Sequence, residues 1–179
     1  MTQTLAQKFD ALAELGALNK AIPLTITENL APGITLRPYQ IKALERFLYF
    51  SEGFRQRPMP AQLLFHMATG SGKTVLMAAL ILYLYSKGQR NFLFFVNSSQ
   101  IIEKTKDNFL NPASSKYLFA PQIRIDDALV DIRAVDNFDE AVEGAINIHF
   151  TTIQGLHSRL LTRAKMRSPM RILKRERSC

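Results

Sequence analysis

Nine consecutive residues, His66-Met67-Ala68-Thr69-Gly70-Ser71-Gly72-Lys73-Thr74, have the types and spacing needed to hold a polyphosphate. Gly70 and Gly72 let the backbone turn so tightly that successive N–H groups point at one anion. The helix expected after the loop adds its positive N-terminal end at the same place. Lys73 stands where it would reach β- and γ-phosphates, and the Thr74 hydroxyl where it would ligate Mg²⁺. The generic pattern has glycine where Met67 stands, a departure at one position. A plain glycine turn ahead of a core helix is the competing account. It does not explain why Gly-Lys-Thr falls at the junction of an apolar run, Leu63-Leu64-Phe65, with a second one from Val75 to Tyr85. The stretch reads as a nucleoside triphosphate site.

The elements that must position this loop follow from apolar spacing. Thr4 to Leu18 carries Leu5, Phe9, Leu12, Leu15 and Leu18 at helical intervals, with Gly16 near its end. Pro23, Pro32 and Gly33 mark an irregular connection, after which a helix entered at Pro38 runs over Tyr39–Phe54. A strand over Gln62–Met67 should lead into the loop and a helix over Thr74–Ser86 out of it. Asn91–Val96 lacks polar alternation, as in a strand covered on both faces. Ile101–Leu110 fits a helix, Ile123–Ile125 and Ile132–Val135 strands, Phe138–Glu143 a short helix and Ile146–Phe150 a strand that runs into Thr151-Thr152. Alternation of this kind predicts an α/β fold with a mainly parallel sheet.

Composition sets outer bounds. A chain of 179 residues, 47% hydrophobic, can bury the core of one domain. Its single cysteine, Cys179, excludes a disulfide framework or a cysteine-based metal site. His66 and His149 have no acidic or thiol partner at metal spacing and fit core or edge positions. The longest apolar run is too short to span a bilayer, and the N-terminus lacks the layout of a signal peptide, so a soluble cytoplasmic protein with no membrane partner is expected. Net charge is +8, but eight basic residues from Arg159 to Arg177 against Glu176 alone give +7 of it, leaving +1 for the rest. A terminal basic cluster of this kind suits a nucleic-acid-binding arm, but charge alone does not decide.

Four segments together carry a resemblance: Leu36-Arg37-Pro38-Tyr39-Gln40, the phosphate loop, Phe94 to Thr105 with Asn97-Ser98-Ser99, and Phe150 to Leu156 with Thr151-Thr152. In order and spacing they resemble the motifs of superfamily-two helicases and translocases, and most of all the Res subunit of Type III restriction enzymes. The resemblance covers roughly residues 20–165. It implies a RecA-like first motor domain over residues 36–165, behind an N-terminal helix and connection at 1–35, with ATP and Mg²⁺ as cofactors. By the same resemblance Arg37, Gln40, Thr69, Gly70, Ser71, Gly72, Lys73 and Thr74 would bind the nucleotide. Gln40 would offer its amide to the adenine edge, with Arg37 beside the same base. Asn97, Ser98, Ser99, Thr151 and Thr152 would contact the DNA backbone. DNA and a methyltransferase (modification) subunit are the implied partners. Each residue set also has a plain structural account: Pro38 at a helix start, Ser98 and Ser99 as helix caps, and threonine as a strand former.

One part of the family pattern is missing. The Asp-Glu-Ala-His box, whose Asp holds Mg²⁺ and whose Glu orients the attacking water, has no counterpart here. ATP binding is therefore expected of this chain, and hydrolysis, helicase or nuclease activity is not, unless Asp126 or Asp127 replaces the box. Residues 166–179 depart from the family text, and a shifted reading frame would account for both the basic tail and the absent box. A small P-loop kinase, or a nucleotide-dependent nucleic-acid-binding module, are the alternative functions.

Overall fold

The computed structural model describes residues 4–18, 20–53 and 60–158. The basic tail lies outside them. Helix α1 (Leu5–Glu14) opens on a capping box, in which the Thr4 side chain accepts from the Gln7 N–H and the Gln7 side chain answers to Thr4. Its Phe9 packs with Leu18 and Phe50, and meets Tyr49 edge-on. Asp10 adds an ion pair to Arg46 at 2.5 Å. These contacts lay α1 against helix α3 (Pro38–Gly53), which begins at its proline as expected. A short helix α2 (Leu24–Thr27), not foreseen from the sequence, lies in the irregular connection.

Helix α4 (Lys73–Ser86) is the centre of the molecule. Leu76, Ala78, Ala79, Ile81, Leu82, Tyr83 and Tyr85 are all buried, and Met77, Leu80 and Leu84 on the remaining side are half-buried. An all-apolar helix of this length must be enclosed. It is enclosed by α2, α3 and a three-stranded sheet, all contributing to one core. That sheet is wholly parallel, ordered β1 (Asn91–Val96), β5 (Ile146–Thr152), β4 (Ile132–Ala134). Helix α5 (Ser99–Leu110) packs on it through Ile102, Thr105 and Phe109, the last edge-on to Phe150. The α/β class and parallel sheet expected from the sequence are both present.

Two local expectations are corrected. Residues 62–67 are extended but form no strand, because among the described residues no neighbouring segment pairs with them. β1 is a strand but is not covered on both faces, since Leu93 and Phe95 on one of them are exposed. The Ile123–Ile125 strand (β2) pairs antiparallel with β3 (Ala128–Val130), which went unforeseen. Asp126 and Asp127 make the turn between them at φ 50° and 62°, a left-handed pair that Asp tolerates better than most residues. They stand exposed on a two-stranded sheet separate from the parallel one.

Candidate nucleotide and backbone-contact site

The loop before α4 has the backbone that its glycines were expected to permit. Gly70 and Gly72 adopt φ of 77° and 80°, a region in which side chains with a Cβ are strained, and Gly72 is the N-cap of α4. The Ser71 N–H and hydroxyl both donate to the Ala68 carbonyl, at 3.3 and 2.6 Å, closing the turn. Lys73 lies back across it. Its Nζ donates to the carbonyls of Met67 at 3.1 Å and Ala68 at 2.9 Å. The ammonium is therefore held on the loop. Thr74 follows as the second residue of α4 and is half-buried, and Thr69 is exposed at the tip.

The N-terminus of α3 meets this loop directly. Gln40 is only 3% exposed. Its Nε2 donates to the carbonyls of Ser71 (3.1 Å) and Gly72 (3.3 Å), and its Oε1 accepts from the Arg37 N–H at 2.9 Å. Both ends of the amide are thus engaged with the protein. The Tyr39 hydroxyl donates to the same Ser71 carbonyl at 2.9 Å and accepts from Arg37 Nη1 at 3.0 Å. Gly72 has a second reason to be glycine, since a Cβ there would lie 2.4 Å from Gln40 Nε2. Tyr39 was not singled out from the sequence. The only available signal was its place between Arg37 and Gln40, because its partner lies 32 residues away.

A groove of about 800 Å³ opens beside the loop, between α1, α3 and residues 62–68. Tyr39, Ala68 and Ser71 line both it and the loop, and Phe9, Phe47 and Leu63 supply apolar wall. The groove and the glycine loop are therefore contiguous.

The second set of expected residues gathers at the C-terminal ends of two adjacent strands. The parallel register sets Val96 beside Thr152 and Phe95 beside Thr151. Asn97, Ser98 and Ser99 leave β1 on the same side of the sheet as Thr151 and Thr152. Ser98 caps α5 by position, yet its side chain makes no capping hydrogen bond. The Thr152 hydroxyl accepts from the Gly155 N–H at 3.0 Å, and that of Thr151, a buried residue, donates to the Thr152 carbonyl at 3.3 Å. Of the histidines, His66 is exposed on the extended segment, and buried His149 faces the Val135 carbonyl through Nδ1 at 2.8 Å. No helix among the described residues is long and apolar enough to cross a membrane.

Comparison with known proteins places the chain in a family. The family described as "Type III restriction enzyme, res subunit" matches residues 33–175, past Lys165, where the sequence resemblance was placed to end. The chain is 42% identical over 148 residues to the probable Type III restriction-modification enzyme HindVIP Res subunit of Haemophilus influenzae. That match covers 79% of this chain but 28% of the relative, so the chain spans less than a third of the length of the curated protein it resembles. No solved structure matches it.

Proposed function

Because this chain belongs to the Type III restriction enzyme Res-subunit family, we propose that its phosphate loop binds ATP together with Mg²⁺, as the nucleotide-holding part of a DNA motor. The observation that carries this reading is the loop itself. Two left-handed glycines, a helix start at Gly72 and the Lys73 ammonium lie within one short loop. Such a donor set fits a polyphosphate. Lys73 would exchange its two carbonyl partners for phosphate oxygens, and the Thr74 hydroxyl would take a place beside the metal. The groove between α1 and α3 sets the apolar wall of Phe9, Phe47 and Leu63 beside polar groups such as Lys42, Arg46 and Gln62, a mixture that suits a nucleoside.

Asn97, Ser98, Ser99, Thr151 and Thr152 would contact a DNA backbone. Ligands of parallel sheets bind beyond the carboxyl ends of the strands, where these five residues stand together. Hydroxyls and helix-start N–H groups hold phosphate without reading sequence. A modification subunit as partner, and DNA translocation and cleavage, belong to the proposal for the longer protein. This chain alone would bind triphosphate without hydrolysing it, since it carries no Asp-Glu-Ala-His run to orient water.

Thermal unfolding with and without MgATP is the direct test. A ligand of the native state at about a hundred times its Kd adds roughly 2.7 kcal/mol, so the wild-type unfolding temperature should rise by several degrees. Lys73→Ala should lose that rise. An equal shift in both proteins, or none in the wild type, would remove the proposal.

A further inference from the structure

The contacts between α3 and the phosphate loop carry a role for Tyr39 and Gln40 that differs from base recognition. A trans peptide points its C=O and N–H in opposite directions. The Ser71 carbonyl shares its peptide plane with the Gly72 N–H, and the Gly72 carbonyl shares its plane with the Lys73 N–H. The Tyr39 hydroxyl and one Gln40 N–H hold the first carbonyl, while the second accepts both from the same Gln40 amide at 3.3 Å and from the Leu76 N–H of α4 at 3.2 Å. The Ser71 carbonyl therefore faces α3 and the Gly72 N–H faces away from it, while the Gly72 carbonyl, shared between Gln40 and α4, leaves the Lys73 N–H pointing out of the helix start. We propose that Tyr39 and Gln40 are positioning residues, which orient the two loop N–H groups for a phosphate by fixing the carbonyls behind them.

Three further features support this. The Gln40 amide has no end left over: Nε2 is shared between two loop carbonyls and Oε1 accepts from the Arg37 N–H. The Arg37 guanidinium donates to the Tyr39 oxygen, which leaves the hydroxyl proton for Ser71. The loop also makes room for Gln40 by having glycine at position 72, where any Cβ would collide with Nε2. Preorganised N–H groups bind an anion without a reorganisation cost at binding. The benefit should thus extend to any polyphosphate, whatever base it carries.

This inference rests on the loop being a triphosphate site, and one titration series separates the two. Affinities of the full 179-residue chain would be measured for MgATP, MgGTP and magnesium tripolyphosphate, in the wild type and in Tyr39→Phe, Gln40→Ala and Lys73→Ala. Tyr39→Phe keeps the ring and removes only the hydroxyl, so it provides the reading if Gln40→Ala folds poorly. Tyr39→Phe and Gln40→Ala should each weaken all three ligands by the same factor, roughly three- to tenfold for one lost hydrogen bond. The ratio of ATP to GTP affinity should stay fixed. If Tyr39→Phe binds tripolyphosphate as the wild type does, the positioning role is wrong, whatever that variant's unfolding temperature. If Gln40→Ala weakens ATP and spares tripolyphosphate, Gln40 reads the base. A wild type that binds none of the three loses the triphosphate site and this role with it. A wild type that binds while Lys73→Ala does not, with Tyr39→Phe unchanged, keeps the site and overturns only the role proposed here.

Discussion

Glu52, at the far end of α3 from the loop, is the acid most strongly tuned by its neighbours. Its carboxylate meets Lys20, accepts from the Tyr83 hydroxyl at 2.7 Å and pairs with Lys87 at 3.0 Å. The hydrogen bond from Lys20, then those from Tyr83 and Lys87, hold its pKa at about 2, against an ordinary 4.5. A carboxylate whose pKa falls on folding contributes stability above its unfolded pKa and loses it as pH drops through the folded value. The wild type should therefore be more stable than Glu52→Gln at pH 7. The gap should begin to close below about pH 4.5 and be nearly gone toward pH 2. The group is partly exposed, so the effect is a modest one and should shrink with added salt. Urea titrations of both proteins across that pH range would check it, and a gap independent of pH would mean that packing, not charge, ties α3 to Lys20 and Lys87. The same position shows why residue type matters beyond charge: Tyr83 also packs edge-on against Phe47 of α3, so one side chain links the ion cluster to the core.

At the level of elements, the β2–β3 hairpin packs Ile123, Ile125 and Val130 into the core, and the buried amide of Asn29 adds directional bonds to it. Asn29 is 2% exposed, and its Nδ2 donates to the carbonyls of Thr25 (3.0 Å) and Arg124 (2.9 Å), while its Oδ1 accepts from the Arg124 N–H at 2.7 Å. Asn29→Ala leaves both Arg124 backbone groups without these partners, at a cost of about 2 kcal/mol or more. Chemical denaturation should show that loss, and hydrogen exchange should speed up at Arg124 while α4 stays protected. Uniform loss of protection would instead make the hairpin part of the global folding unit. This contact was invisible in the sequence because Asn29 and Arg124 are 95 residues apart. Elements whose own periodicity decides them were legible: α1 and α3 to α5, and the strands β1 and β5, lie within a few residues of where apolar spacing put them. Residues 62–67 failed as a strand for the opposite reason. An extended segment becomes a strand only when a neighbour pairs with it, and pairing is not a local property. The site divides in the same way. The glycine-Lys-Thr geometry is written into nine adjacent residues, whereas the hold of Tyr39 and Gln40 on Ser71 and Gly72 exists only after α3 packs beside the loop.

For the molecule as a whole, the consequence of these unpaired segments is an unprotected surface. β1 has β5 on one side and no strand on the other among the described residues. Its sequence, Asn91-Phe92-Leu93-Phe94-Phe95-Val96, contains none of the charges or prolines that normally blunt a sheet edge. Phe95 is 51% exposed, and Leu64 on the extended segment is 92% exposed. Phe65 and Met67 on one segment, and Phe92 and Phe94 on the other, pack into the same core, while neither segment's outer backbone edge is paired among the described residues. Open N–H and C=O rows flanked by exposed aromatic and aliphatic groups are templates for a further strand. The purified 179-residue chain should accordingly self-associate as its concentration rises. Phe95→Lys, which puts a charge on the open strand without touching the buried face, should shift the population toward monomer in sedimentation velocity. Because Phe95 does not line the groove beside the loop, the MgATP-induced rise in unfolding temperature should survive in that variant. A wild type that stays monomeric at high concentration would show that the open edge is not a template for association; a Phe95→Lys protein that loses both association and the MgATP response would tie the open edge to the nucleotide site itself.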